Sequence, residues 1–341
     1  MLKSNNMKLR KLGNSEVMVT PMAFGAWAIG GWMWGGADDS DALEAIRAAY
    51  DAGITTIDTA PIYGFGKSEE LVGKAMEGIP RDKYQLLTKF GMNWQSEEGE
   101  YYFDTKNEAG KPIKIYKWST GKKVIQECEE SLRRLKTDYI DLYQIHWPDG
   151  TTPIQETFET VSKLIKQGKV RAAGVCNYNT SQVDAALQTI HLASNQVPYS
   201  LINRDIEKEV IPQALKKNIG IIAYSPLQRG LLTGKIKPGH QFNEGDTREG
   251  NRFYSEENIK RVNALLNDIK PIAEKHNATL AQVIINWTMH RPAIACVLVG
   301  ARNVKQVLDN AKAVSVSLSQ DELDTITAIA DSFTLAEPQS V

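Results

Sequence analysis

The sequence predicts a (β/α)8 TIM barrel with long loops at its C-terminal face and a short N-terminal hairpin. From Val17 onward, short apolar runs alternate with longer amphipathic stretches, the pattern of parallel strands joined by helical crossovers. Eight such units follow one another without a break in composition, which favours one closed barrel over two domains. The length of 341 residues suits a barrel of about 250 residues that carries a few insertions. Residues 1–341 therefore read as a single domain.

The first strand is the run 22–25. Asp39 or Ser40 can cap the helix after it, in which Leu43, Ile46 and Tyr50 stand at helical spacing; Gly53 stops that helix and 54–58 forms the second strand. The third strand is 84–89 and the fourth 139–146, with a helix around 122–135 between them. Pro153 can occupy the first turn of the next helix, whose Phe158, Val161 and Ile165 face the core before Gly168 ends it. The remaining strands are 170–176, 192–197, 220–224 and 295–299. Segments 8–19, 91–119 and 226–255 exceed what a minimal barrel needs. The first reads as a hairpin around Gly13-Asn14 that caps the barrel floor. The other two follow strands three and seven, so they fall at the C-terminal face, where barrel active sites are built.

Composition narrows the partners. Hydrophobic residues make up 42% and charged residues 24%, the mixture of a soluble chain with a buried core. A formal net charge of -1 gives no global field for nucleic acid or an anionic membrane, so small molecules are the expected partners of a monomer. Cys128, Cys176 and Cys296 are widely spaced and contain no Cys-x-x-Cys pair. They suggest neither a disulfide framework nor a metal site, and reduced thiols fit a cytoplasmic protein. No apolar leader and no run of roughly 20 apolar residues is present, so neither export nor a membrane span is expected. Two nucleotide-loop near misses are rejected: Gly66-Lys67-Ser68 has Pro61 where a phosphate loop needs glycine, and Gly64-Phe65-Gly66 has Glu69 in place of a third glycine.

Side chains alternate along a strand, so Ile54, Thr56 and Asp58 share one face, as do Leu142, Gln144 and His146. Asp58 and His146 can then both enter the lumen at its C-terminal rim, while Lys89 ends the neighbouring third strand and Tyr63 sits in the loop above Asp58. Each alone has an ordinary structural explanation. Together they place an acid, an ammonium, an imidazole and a phenol on one patch, and charged residues are seldom buried unpaired. An ammonium at roughly 4 Å and an effective dielectric of about 20 attracts a phenolate by about 4 kcal/mol. That is enough to lower a phenol pKa by up to about 3 units before desolvation opposes it. Tyr63 would serve as general acid, Asp58 would hold Lys89 charged and in place, and His146 would orient a substrate oxygen.

These residues also carry a resemblance. Asp58-Thr59-Ala60-x-x-Tyr63-Gly64, Lys89 closing Leu-Leu-Thr-Lys, and His146 in Leu-Tyr-Gln-Ile-His-Trp resemble the catalytic signatures of the aldo-keto reductases. The resemblance runs from Phe24-Gly25-Ala26-Trp27 to Gly300-Ala301-Arg302-Asn303. Tyr224-Ser225-Pro226-Leu227-x-Arg229-Gly230-Leu231-Leu232-Thr233-Gly234-Lys235 is most similar to the bacterial subgroup with the inositol-operon and general-stress reductases. It implies reversible, NADPH/NADP-dependent reduction of a small carbonyl or sugar to an alcohol, with hydride from the cofactor and a proton from Tyr63.

The resemblance further implies that Asn177 and Gln196 hold the nicotinamide carboxamide and that Tyr224 stacks on its ring. Cys176 stands where many members have serine, and a thiol is the weaker hydrogen-bond partner. Gly25, Ala26, Trp27, Asp58, Ser225, Leu227, Gln228, Arg229, Gly230, Leu231, Gly300 and Ala301 complete the cofactor set, with the glycine-rich 226–255 segment (Gly230, Gly234, Gly239, Gly245, Gly250) folding over the pyrophosphate. Arg302, with Gln306 and Asn310 one and two turns on, matches the adenosine-phosphate segment; a guanidinium there favours a 2′-phosphate, hence NADPH. Trp27 and Trp147, with Tyr63 and His146, are the expected substrate contacts, and Trp32, Trp34 and the aromatics of 91–119 are further candidates. Two other readings stand beside this one: a cofactor-binding regulatory subunit like the related channel β proteins, and a barrel lyase using Lys89 as a Schiff base, which Asp58 opposes by keeping the amine charged.

Overall fold

The structure, a computed structural model, describes residues 7–32, 38–107, 109–242 and 246–336. Trp34 and Gly245 lie outside these residues.

The chain opens with the antiparallel pair β1 (Arg10–Lys11) and β2 (Met18–Val19). Then come β3 (Met22–Gly25), α1 (Asp39–Asp51), β4 (Thr56–Asp58), α2 (Lys67–Ala75) and β5 (Gln85–Phe90). An inserted sheet follows, made of β6 (Met92–Asn93), β7 (Glu100–Lys106) and β8 (Pro112–Lys117). After it run α3 (Gly121–Leu135), β9 (Ile140–Ile145), α4 (Ile154–Lys166), β10 (Val170–Cys176), α5 (Thr180–Leu187), β11 (Leu192–Pro198), α6 (Val210–Lys217) and β12 (Gly220–Tyr224). The chain ends with α7 (Glu256–Lys275), α8 (Leu280–Met289), β13 (Ile294–Gly300), α9 (Val304–Ala311) and α10 (Gln320–Asp331). The eight parallel strands close in the order β3-β4-β5-β9-β10-β11-β12-β13, so the expected barrel is present.

Alternation divides the barrel into two cores. Leu86, Phe90, Tyr143 and Ile145 face outward into the layer shared with the helices. Leu87, Leu142, Ala172, Ala193, Ile222 and Leu298 fill the lumen. Helix α1 shows how the outer layer forms: it buries Ala42, Ala45, Ile46 and Ala49 at helical spacing, small residues that let it lie close on the strands. Its cap is Asp38, whose side chain accepts from Asp41 N, rather than Asp39 or Ser40. Both residues named from the sequence lie inside the first turn. Pro153 likewise stands immediately before α4, not within it.

The N-terminal hairpin does plug the floor. Leu12, Val17 and Val19 belong to the lumen cluster, and Arg10 ties the hairpin down through Nη1, which donates to Met289 O at 2.8 Å. The turn needs Gly13: at φ 55°, a Cβ there would fall 2.5 Å from Ala193 O and 2.8 Å from Gly220 N.

The 91–119 insertion, expected as a loop, is a three-stranded antiparallel sheet. It is covered by its own apolar cluster, in which Met92 and Ile115 pack with Ala60 and Ile62 of the β4–α2 loop and with Trp32, Phe65, Trp94, Tyr102, Phe103 and Trp147. Ring contacts knit the cluster: Trp32 stacks on Phe103 at 6.3 Å, and Tyr102 lies 5.5 Å from Trp147.

Candidate active site

The lumen alternates from apolar to polar as it rises. One pleat above Leu87 and Leu142 stand Lys89 and Gln144, which are paired in register, and Asp58 and Gln196 join them from β4 and β11. Lys89 is fully buried and Asp58 is 2% exposed, so the two charges need each other. Lys89 Nζ donates to Asp58 Oδ1 at 2.6 Å and to Thr59 O at 2.8 Å. Asp58 Oδ2 accepts from Gln196 Nε2 at 2.8 Å and from Gln144 Nε2 at 3.4 Å. Burial is the largest single influence and opposes the Lys89 charge, but Asp58, with smaller contributions from Tyr63 and Cys176, together outweighs it and holds the ammonium pKa above its ordinary value.

Tyr63 lies over this pair, with Lys89 Nζ 4.8 Å from its ring centroid. The 3-10 turn Ala28–Gly30 braces it: a Cβ on Gly30 would meet Tyr63 C at 2.8 Å, so only glycine permits that approach. His146 follows β9 and meets Tyr63 edge to face at 5.7 Å. Burial, then the neighbouring Lys89 charge, pushes the His146 pKa well below the ordinary histidine value, so it is neutral at neutral pH. The four expected catalytic residues are thus brought to one patch.

The expected electrostatics of Tyr63 need correction. Its pKa is not lowered but pushed up to about 12, because burial outweighs the favourable Lys89 charge and Asp58 adds to the rise. Desolvation does not merely trim the effect of the ammonium but exceeds it, and the partner carboxylate works on the same side as burial. A proton donor survives the correction: an alkoxide has a conjugate acid weaker than even this phenol, so it still takes the Tyr63 proton downhill.

Above the patch opens a cavity of about 820 Å³. Its wall includes Asp58, Tyr63, His146, Trp27 and Trp147, together with Asn177, Gln196, Tyr224, Ser225, Leu227, Arg229 and Gly230. Gly25 and Ala26, beside Asp58, line it as well, and from Gly300 the lining continues through Ala301 and Arg302 to Gln306 and Asn310 of α9. Two expected cofactor residues sit elsewhere. Leu231 is wholly buried in the core, and the Gln228 side chain accepts from Ser200 Oγ at 3.1 Å while its carbonyl accepts from Tyr254 Oη at 2.6 Å. Asn177, in left-handed backbone at φ 59°, donates through Nδ2 to His146 O at 3.1 Å and accepts from Tyr224 Oη at 2.9 Å, which fixes both residues at the rim. Cys176 is buried, and burial raises its thiol pKa.

The described residues of 226–242 and 246–255 contribute Leu227, Arg229, Thr233, Lys235, Thr247 and Arg248 to the cavity wall. The Arg229 guanidinium lies 5.1 Å from the Trp27 ring centroid and donates to Thr247 Oγ1 at 2.9 Å. Ser225, Gln228 and Arg229 all have positive φ, and such strain collects where a backbone is held for function. At the far end Arg302 is exposed, and its backbone N–H donates to Gln306 Oε1 at 2.9 Å. Gln306 is thereby used as a cap. The residues present fit a nicotinamide dinucleotide: an aromatic and two carboxamides near the catalytic patch, and guanidinium groups along the mouth and at the far end.

Sequence reasoning missed Gln144 as a support for Asp58, although its place on the His146 face was legible. It also settled on only two pocket aromatics, whereas Trp32, Tyr102 and Phe103 line the cavity as well. Strict alternation would send Tyr102 and Phe103 to opposite faces. A register shift between Tyr101 and Phe103 bends β7 there, and neighbouring residues reach one side.

The aldo/keto reductase family model matches residues 21–331. Aldo-keto reductase YhdN of Bacillus subtilis is 34% identical over 334 residues, 97% of this chain and 96% of that protein. The NADH-specific methylglyoxal reductase of Escherichia coli is 32% identical over 330 residues, 95% of this chain and 99% of that one. Among solved structures, glycerol dehydrogenase AKR11B4 from Gluconobacter oxydans superposes with a TM-score of 0.86 at 35% identity, covering 98% of this chain and 99% of the other.

Proposed function

The chain belongs to the aldo/keto reductase family, and from that premise we propose that it is an NADPH-dependent cytoplasmic reductase, acting as a monomer, that reversibly converts a small aldehyde, ketone or sugar to an alcohol. The observation that carries this reading is the buried Asp58–Lys89 ion pair beneath Tyr63 at the floor of the cavity, with His146 beside it. When bound, the cofactor supplies the hydride.

The chain's own residues do the rest. Tyr63 gives its proton to the oxygen that becomes the alcohol. Lys89 and Asp58 form a preorganised pair beneath it, so charge developing on that oxygen meets fixed dipoles rather than reorganising water. Neutral His146 hydrogen-bonds the same oxygen and aims the carbonyl. Trp27, Trp32, Tyr102, Phe103 and Trp147 wall the substrate end and exclude water. The long cavity leaves the Arg302 end for the adenosine moiety, and Arg302 reads the 2′-phosphate.

Replacing Tyr63 with Phe tests the assignment. It deletes only the hydroxyl, so carbonyl reduction should fall by about 10²–10⁴-fold, the usual worth of a general acid, while NADPH titration by fluorescence gives a nearly unchanged affinity. Near-normal turnover in this variant refutes the role of Tyr63.

A further inference from the structure

His146 stands between two spaces. One side of its ring faces the main cavity. Behind it is a small gap lined by Pro61, Ile62, Phe90, Met92, Glu127 and His146 itself. Two buried polar atoms among these residues have no hydrogen-bond partner, His146 Nδ1 and Glu127 Oε1. The other four side chains are apolar, so each of the two is the other's polar side-chain neighbour across the gap.

Glu127 projects from α3 and is 3% exposed. Its Oε2 accepts from Gly91 N at 2.7 Å, one residue past β5, which anchors the carboxyl beside the strand that carries Lys89. Lys123 Nζ lies 3.7 Å from Oε1 but gives its hydrogen bond to Gln95 Oε1 at 3.0 Å. A buried carboxyl oxygen and a buried imidazole nitrogen, each unsatisfied, are costly, and one bond between them removes both costs.

We propose that Glu127 is a positioning residue that sets, through Nδ1, which tautomer His146 presents to the substrate oxygen. This rests on the reading of His146 as the partner of that oxygen. When Glu127 is protonated, its carboxyl donates to Nδ1, the ring proton sits on Nε2, and His146 donates to a carbonyl oxygen. When Glu127 is ionised, it accepts from Nδ1–H, and Nε2 offers a lone pair that accepts from an alcohol hydroxyl. Between the two states the pair loses one proton to solvent and the imidazole stays neutral. The first state suits reduction and the second oxidation.

The groups that face Glu127 leave this exchange near neutrality. Burial raises its carboxyl, Lys123 and the Gly91 N–H oppose the rise, Glu130 adds to it and Arg134 subtracts, giving a pKa of about 7. Tyr143, from β9, is held neutral by burial on the strand side. His146 is kept from a positive charge by burial and by Lys89.

The test is ¹⁵N spectroscopy of the histidine-labelled full chain between pH 6 and 8.5, with H146N identifying the resonance. The proposal expects the proton-bearing nitrogen of His146 to move from Nε2 to Nδ1 with a midpoint at about pH 7. In E127Q the amide carbonyl takes the Gly91 N–H, which leaves the amide NH₂ to donate to Nδ1, and the Nε2–H tautomer should persist at every pH. Kinetics with NADPH and NADP give the second readout. Above the midpoint the wild-type reduction rate should fall about tenfold per pH unit while oxidation rises; E127Q should lose this inflection and keep reduction at pH 8. A wild-type tautomer that stays fixed across the range overturns the proposal, whether or not E127Q folds, and leaves the reductase reading intact. Absent reductase activity with a tautomer that still switches overturns that reading instead.

Discussion

Lys89 is a charge placed where a charge alone could not stay. Fully buried, it would lose its proton without Asp58, and Asp58 would be equally untenable without Lys89. Lys89→Met should therefore cost about 3 to 5 kcal/mol of stability, the usual cost of stranding one member of a buried pair, read as a lowered urea midpoint. It should also raise the Tyr63 pKa further, because the ammonium is what opposes burial there. An unchanged midpoint would show that the pair is not holding itself together. The sign of the pH dependence follows from the same group. Reduction needs the neutral phenol, which is present below a pKa of about 12, whereas oxidation needs the phenolate, whose fraction grows as pH rises toward that value. Even with the Glu127 inflection removed by E127Q, alcohol oxidation should thus keep climbing from pH 8 to 10 without a plateau. A plateau by pH 8 in a rate profile would contradict a raised tyrosine. Arg302 makes a separable case. Only NADPH carries the extra phosphate, so Arg302→Ala should weaken NADPH by about 1.5 to 3 kcal/mol, the worth of one charged hydrogen bond, and leave NADH nearly alone. Equal losses in titration would remove Arg302 from cofactor choice, and an NADH-specific relative makes that measurement informative. At this scale the sequence was most legible where strand alternation fixed a direction, as for Asp58, Lys89 and His146. It was least legible where the outcome was a balance of opposed effects, as for the Tyr63 pKa.

The inserted sheet of β6, β7 and β8 shows why one element escaped sequence reading. Its strands carry Asp104 and Lys114 on exposed positions and Glu100 and Lys117 on half-buried ones, and Tyr101 is 52% exposed, so no clean apolar stripe marks them as strands. A barrel strand such as β13, buried on both faces, appears as a continuous apolar run and is found within a residue or two of its ends. Having folded as a sheet, the insertion is a fixed wall and not a loose flap: Trp32 Nε1 donates to Thr105 Oγ1 at 3.2 Å, and Lys117 Nζ reaches Glu100 Oε1 at 2.7 Å. Tyr102 and Phe103 line the cavity together with Asn177, Gln196 and Tyr224, the residues proposed to hold the cofactor. Deleting residues 97–114 should consequently reorder substrates, with bulky aldehydes gaining on small ones in kcat/KM, while NADPH affinity changes little. A preserved ranking in a folded variant would mean that the sheet merely covers the barrel flank. Phe103→Ala, a lesser change, should move the ranking in the same direction.

The whole molecule separates its two ends. Every candidate catalytic group projects from the C-terminal rim of the strands, and the opposite end is closed by the N-terminal hairpin, whose Leu12 packs with Leu87, Leu142 and Ile222 in the lumen. An apolar layer stands between that plug and the polar layer of Lys89, Asp58, Gln144 and Gln196. Damage at the floor should therefore be felt as stability and not as chemistry. Leu12 is fully buried, and Leu12→Ala would leave a cavity against side chains that three strands hold in place. The expected cost is about 2 to 5 kcal/mol, visible as a lower thermal midpoint. Below that midpoint kcat and KM should match those of the parent chain, because the polar layer keeps its hydrogen bonds. If kcat falls along with stability, the apolar layer does not insulate the site, and the floor of the barrel positions Lys89 as much as Asp58 does.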